Sequence, residues 1–129
     1  MSDETGQYLT GGCHCGAVKF EIFLDEPVTE VFACNCSMCQ KTGFLHLFAT
    51  RDQFRLLSGD QDLENYQFGT KTAHHLFCKN CGIKSYYIPR SHPDGFSIHA
   101  GCLDDFDLNS VTITPFDGRN WEKNVDSIR

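Results

Sequence analysis

A chain of 129 residues is about one domain's worth, and 40% hydrophobic against 22% charged residues is the balance of a packed core, not of a disordered chain. The formal charge of −6, with no cluster of Lys or Arg, disfavours a nucleic-acid partner, which would need a basic footprint, and none is expected. The polar start, with Asp3 and Glu4, lacks the apolar stretch of a secretory signal, and no apolar run spans a bilayer, so a cytoplasmic location with no membrane partner is expected.

Residues 1–10 read as a flexible N-terminal segment and residues 11–129 as a single domain. Short alternating runs bounded by turn residues predict strands over 17–23, 28–33, 45–50, 54–57, 63–68, 72–77, 84–88, 96–100 and 111–114. In the first of these, Val18, Phe20 and Ile22 alternate with Lys19 and Glu21. Ser58-Gly59-Asp60 and Gly69-Thr70-Lys71 read as hairpin turns. Residues 89–95, with two prolines and a glycine, read as an irregular loop. A helix is expected only over 120–125, with Asn120 as its N-cap. The fold class is therefore mainly β, small antiparallel sheets with few short helices.

Seven of the eight cysteines fall in three tight groups: Cys13-His14-Cys15, Cys34-Asn35-Cys36-Ser37-Met38-Cys39 and Cys78-Lys79-Asn80-Cys81. In a reducing compartment such spacing points to metal chemistry and away from disulfides. Two sulfurs at about 2.3 Å from one Zn²⁺ need a tight turn, and Gly11, Gly12, Gly16 and Gly82 flank the groups to allow it. Two pairs make a closed four-thiolate site and leave Cys34, Cys36 and Cys39 as a three-ligand site with a fourth position free. His14, His46, His75 or Cys102 are the candidates to fill that position if the triad is purely structural. Cys102 stands alone and reads as a small buried hydrophobe.

At these residues the sequence resembles the glutathione-dependent formaldehyde-activating enzyme family. The likeness is carried by Gly12-Cys13-His14-Cys15-Gly16-Ala17-Val18, by the Cys34 to Cys39 group, and by Phe77-Cys78-Lys79-Asn80-Cys81-Gly82, all in the family's order. Tyr86-Tyr87-Ile88-Pro89-Arg90-Ser91 and Trp121-Glu122-Lys123 are similar to the centromere protein V branch. The resemblance implies a β-tent-like fold organised around zinc. It implies a structural zinc on Cys13, Cys15, Cys78 and Cys81, and a catalytic zinc on Cys34, Cys36 and Cys39. It also implies carbon–sulfur lyase chemistry, the joining of glutathione and formaldehyde.

The expected partners are thus a small thiol such as glutathione and a small aldehyde. Zn²⁺ at the triad would deprotonate the thiol, which would add to the aldehyde carbon or be released in the reverse step. His46 is the candidate proton donor, and Lys41, Arg51 and Lys71 are candidates to pair with the carboxylates of the thiol. The alternative is a non-catalytic, zinc-stabilised protein-interaction module of the centromere protein V type, with Phe96, Phe106, Phe116 and Trp121 offered to a partner.

Overall fold

The computed structural model describes residues 6–67, 71, 73–89, 92 and 94–118. Along the chain it places β1 (Gln7–Gly12), β2 (Lys19–Leu24), β3 (Glu30–Cys34), α1 (Ser37–Thr42), β4 (Leu45–Thr50), β5 (Phe54–Ser58), β6 (Leu63–Tyr66), β7 (His75–Cys78), β8 (Tyr86–Tyr87), β9 (Gly95–His99) and β10 (Thr112–Phe116). The strands sort into three sheets, β1-β2-β5, β10-β3-β4-β9-β8 and β6-β7. All pairs are antiparallel except β3 with β10. Those two strands lie far apart in sequence, so no tight turn forces them to run in opposite directions. Their register sets Phe116 beside Cys34, which brings the end of β10 to the cysteine triad.

The core forms where the first two sheets face each other. Val18, Phe20, Ile22, Val31 and Ile98 are wholly buried. Phe20 stacks on Phe54 at 5.4 Å, Phe54 on Phe96 at 4.3 Å, and Tyr86 packs 4.7 Å from Phe54. Each such side chain contributes about 2–3 kcal/mol by leaving water. This cluster joins β2 and β5 of one sheet to β8 and β9 of the other. The alternation in β2 holds for Phe20 and Ile22, but Glu21 is buried too. Tyr8 donates to it at 2.8 Å and Arg55 pairs with it at 2.6 Å, so its charge is compensated.

Several expectations need correction. The first strand begins at Gln7, inside the segment expected to be flexible, because pairing with β2 outweighs its polar, glycine-rich sequence. Ser58-Gly59-Asp60 does not close a hairpin: β5 pairs with β2 and β6 with β7, and Gly59 opens a 3-10 turn at Asp60–Asp62. The helix α1 was not expected, since six residues show no periodicity. Phe116 is buried, and Phe96 and Phe106 pack against the core, so these three do not form an exposed aromatic surface. Trp121, the helix expected over 120–125, and Gly69 and Thr70 of the second expected turn lie outside the described residues. No helix among the described residues is long and apolar enough to cross a membrane.

Candidate metal centres

The β1–β2 turn and the turn after β7 meet face to face. Cys13 and Cys15 come from the first, Cys78 and Cys81 from the second, and their four sulfurs all lie within 4.8 Å of one another. Cys15 Sγ is 3.6 Å from both Cys13 Sγ and Cys78 Sγ. Four sulfurs at about 2.3 Å from one tetrahedral ion stand roughly 3.8 Å apart, so this cluster fits a metal without rearrangement. Gly16 (φ +83°) and Gly82 (φ +77°) take the left-handed backbone that closes the two turns. Gly82 N–H donates to the Cys78 carbonyl at 2.7 Å, tying off that turn, and Val18 N–H reaches Cys13 Sγ at 3.3 Å, which would soften the charge of a thiolate there.

The second cluster is local. Cys34 ends β3, Cys36 caps α1 and Cys39 lies buried in the helix's first turn, with the three sulfurs mutually within 4.8 Å. Cys39 N–H donates to Cys36 Sγ at 3.4 Å and Cys36 N–H to Cys34 Sγ at 3.5 Å. Among the described residues no fourth ligand atom joins this set, so neither His14, His46, His75 nor Cys102 completes it. Cys34 and Cys36 are half-buried, not sealed. Hydrogen bonds from the Cys34 and Cys39 thiols push Cys36 down to about 2, while the Cys34 and Cys36 sulfurs, with burial, push Cys39 up. Gly118, just past β10, closes one side of the cluster: a Cβ there would lie 2.3 Å from Cys34 Sγ.

His46 does reach the triad, and both of its ring nitrogens are engaged there. Its Nε2 is 3.1 Å from Cys39 Sγ and its Nδ1 is 2.8 Å from Ser97 Oγ. Burial, then the charge of Lys84, push its pKa down to about 3, so it is neutral at neutral pH. A neutral ring with Nε2–H on the sulfur and Nδ1 accepting from Ser97 satisfies both contacts and turns Cys39 toward its partners. Lys41 is exposed in the last turn of α1, two residues past Cys39. Arg51 is exposed beyond the far end of β4, roughly 16 Å along the strand from His46. Lys71 is exposed in the β6–β7 loop, where its carbonyl accepts from Gln67. Cys102 is half-buried, and burial pushes its thiol up to about 11.

Lys84 is the residue that sequence reasoning missed. Only 6% of it is exposed, and its Nζ lies 3.8 Å over the Tyr87 ring, 5.0 Å over Phe44 and 2.7 Å from His75 Nδ1. Burial pushes its pKa down to about 8, and the charges of Cys39, Cys36 and Cys34 hold it up against that. It also lines a cleft of about 470 Å³ running from the Cys13 turn past Thr42 and Phe44 to His99; the triad sulfurs are not in its walls.

The chain is similar to known proteins over most of its length. An uncharacterised lyase of Schizosaccharomyces pombe is 26% identical over 93 residues, 70% of this chain and 64% of that protein, so the match spans just under two thirds of the relative. A crystal structure of a Rhodobacter sphaeroides protein superposes with a TM-score of 0.75 at 34% identity, covering 82% of this chain and 97% of the other. Residues 8–118, which include all seven clustered cysteines, match the family described as glutathione-dependent formaldehyde-activating enzyme. With both cysteine clusters formed and that match spanning nearly all of the described chain, the protein belongs to the glutathione-dependent formaldehyde-activating enzyme family.

Proposed function

We propose that this chain is a zinc-dependent carbon–sulfur lyase that joins a small thiol of the glutathione type to a small aldehyde, or runs the reverse. The observation that carries the reading is the Cys34/Cys36/Cys39 triad: three convergent sulfurs, two of them half-buried, with no fourth ligand from the described residues. Thiolate donors at tetrahedral spacing suit zinc, with the four-cysteine set as the closed structural site. Zinc at the triad would supply a thiol held as its thiolate at neutral pH.

The residues of the chain then have distinct tasks. Cys34, Cys36 and Cys39 hold the reacting centre, His46 orients Cys39 through its N–H, and Ser97 fixes the ring. In the forward step the thiolate lone pair forms the carbon–sulfur bond. The carbonyl π pair moves to oxygen, and solvent supplies the proton that makes the hydroxyl. His46 is too buried to do so. Lys41, exposed in the last turn of α1 two residues past Cys39, would pair with a carboxylate of the thiol.

The test is Cys36→Ser, followed by NMR observation of hemithioacetal formation from glutathione and formaldehyde, alongside metal analysis. The expected result is two zinc ions in the parent, one in the variant, and the catalysed rate lost. Unchanged turnover with one zinc gone sinks the reading. Two tightly held ions, neither responsive to added thiol, favour the non-catalytic interaction module instead.

A further inference from the structure

The cleft of about 470 Å³ has the size of a small-molecule site, and its walls are apolar at Phe44, Ile83 and Leu103. Two hydrogen-bond donors stand among them. Lys84 donates to His75 Nδ1 at 2.7 Å, and among the described residues neither a carboxylate nor any other oxygen acceptor meets its ammonium. A cation buried without a counter-charge is costly, and the rings that solvate this one supply no charge. The second donor is His99. Its Nδ1 accepts from Leu45 N–H at 3.1 Å and from Gly101 N–H at 3.3 Å, which fixes the tautomer with the proton on Nε2. That N–H has no acceptor among the described residues. Gly101 leaves this edge of the ring uncovered: a Cβ there would stand 3.0 Å from His99 Cε1 and 3.2 Å from Nε2. Phe44 ties the two donors together. Its ring stacks on His99 at 4.9 Å and has Lys84 Nζ 5.0 Å from its centroid.

We infer that this cleft binds a small carboxylate with an apolar body, its oxygens held by the Lys84 ammonium and the His99 Nε2–H and its body laid against Phe44, Ile83 and Leu103. Charge selects the class. One ammonium and one neutral donor match a monoanion. A phosphate dianion would bring uncompensated charge into a chain already at −6, with Asp104 in the same walls. The Asp104 carboxylate accepts from Thr10 Oγ1 at 2.9 Å, at the exposed rim. An uncharged apolar ligand would leave both donors unmet. None of these contacts uses a cysteine, so the site stands apart from how the triad is read.

Isothermal titration calorimetry on the zinc-loaded full chain, with benzoate as the probe, tests this. Saturable one-to-one binding of benzoate is expected, with its uncharged counterpart benzamide and inorganic phosphate each at least about tenfold weaker. Lys84→Met is expected to weaken benzoate about 10–100-fold, the contribution of a hydrogen bond to a charged group. Gly101→Ala keeps both donors and covers Nε2, and is expected to weaken benzoate about tenfold. Near-UV circular dichroism and zinc content verify that each variant is folded; should Lys84→Met fail that check, Gly101→Ala decides alone. Carboxylates of this kind occur as free acids and on peptide-like thiols. Displacement of benzoate by S-methylglutathione, which has no free thiol, assigns the site to the thiol, and no displacement assigns it to a free acid; both outcomes keep the site. Benzamide or phosphate bound as tightly as benzoate, benzoate binding unchanged in a folded variant, or no saturable binding to the parent overturns the inference and leaves the proposed lyase chemistry untouched.

Discussion

Gly118→Ala is the sharpest perturbation of the triad that touches no cysteine. An added Cβ would stand 2.3 Å from Cys34 Sγ and 3.2 Å from Cys36 Cβ, where ordinary contact needs about 3.5–4.0 Å. Something must move by more than about 1 Å, whereas metal–sulfur bonds tolerate only about 0.2 Å. The backbone around Gly118 resists moving: Asn35 N–H donates to the Phe116 carbonyl at 3.1 Å, and Asn35 Nδ2 to Asp117 Oδ1 at 3.0 Å. Breaking both hydrogen bonds costs about 1–3 kcal/mol, so the softer response is rotation of the Cys34 sulfur out of the cluster. The expected outcome is a 10–100-fold or greater loss of metal affinity at the triad, with the four-cysteine site untouched. Native mass spectrometry at limiting zinc reads this directly as a shift from two bound ions to one. The melting temperature should fall by no more than a few degrees. Two ions bound as tightly as in the parent would refute this account of what closes the triad.

Three further outcomes follow from the same geometry. His46→Ala removes the donor to Cys39 Sγ and should weaken metal at the triad by about 10–100-fold, and His46→Gln, which keeps an N–H, should lose less; equal affinities by competition with a zinc indicator would refute the role. His75 is pushed down to about 4 by burial first and by Lys84 second, while an unfolded histidine titrates near 6.5. Between those values the unfolded chain binds more protons, so stability is lost as pH falls from 6.5 towards 4, by about 3 kcal/mol in all. His75→Gln keeps an acceptor for Lys84 and should flatten that slope in urea unfolding at stepped pH; an unchanged slope would assign the loss to other groups. Cys78→Ser should lower the melting temperature far more than Cys36→Ser, as measured by calorimetry; equal falls would contradict a division into a stapling site and a local one.

Most of the strands were legible because their alternation survives burial. The strand expected over 45–50 is β4 itself, and each of the other eight expected strands overlaps one that forms. What escaped detection is what depends on tertiary contact. The first strand exists only because Gln7 through Gly12 find β2, and nothing in a polar run ending in two glycines announces that. The six-residue helix α1 is too short for periodicity, although Gly43, in left-handed conformation just past Thr42, is the C-terminal glycine signal that was there to be read. The cysteine groups were legible because their spacing is itself the constraint. Lys84 was not, since one lysine ahead of Ser85-Tyr86-Tyr87 looks like a solvated strand end until β8 is seen buried on both faces. Gly118 was invisible for another reason: its partner, Cys34, is 84 residues away and meets it only through the parallel β3–β10 pairing.

The two cysteine clusters differ in what their closure does to the unfolded chain, and that difference bears on function. The contact between Cys15 and Cys78 spans 63 residues, so a metal there would close about half of the chain into one loop. The triad spans Cys34 to Cys39, only five residues. By the logarithmic law of loop closure the longer loop costs about 2 kcal/mol more entropy to close, and a bound metal spares the folded state that cost. A metal at the four-cysteine site would therefore be bound up with folding, because its release would free the β1–β2 turn from the β7 turn. The triad clamps nothing that the sequence does not already hold within one turn of α1. Its ligation can change, gaining or losing a fourth partner, without the fold having to follow. A centre that exchanges a ligand on every turnover, as the proposed lyase would, needs that independence, and of the two cysteine clusters among the described residues the triad is the one that has it.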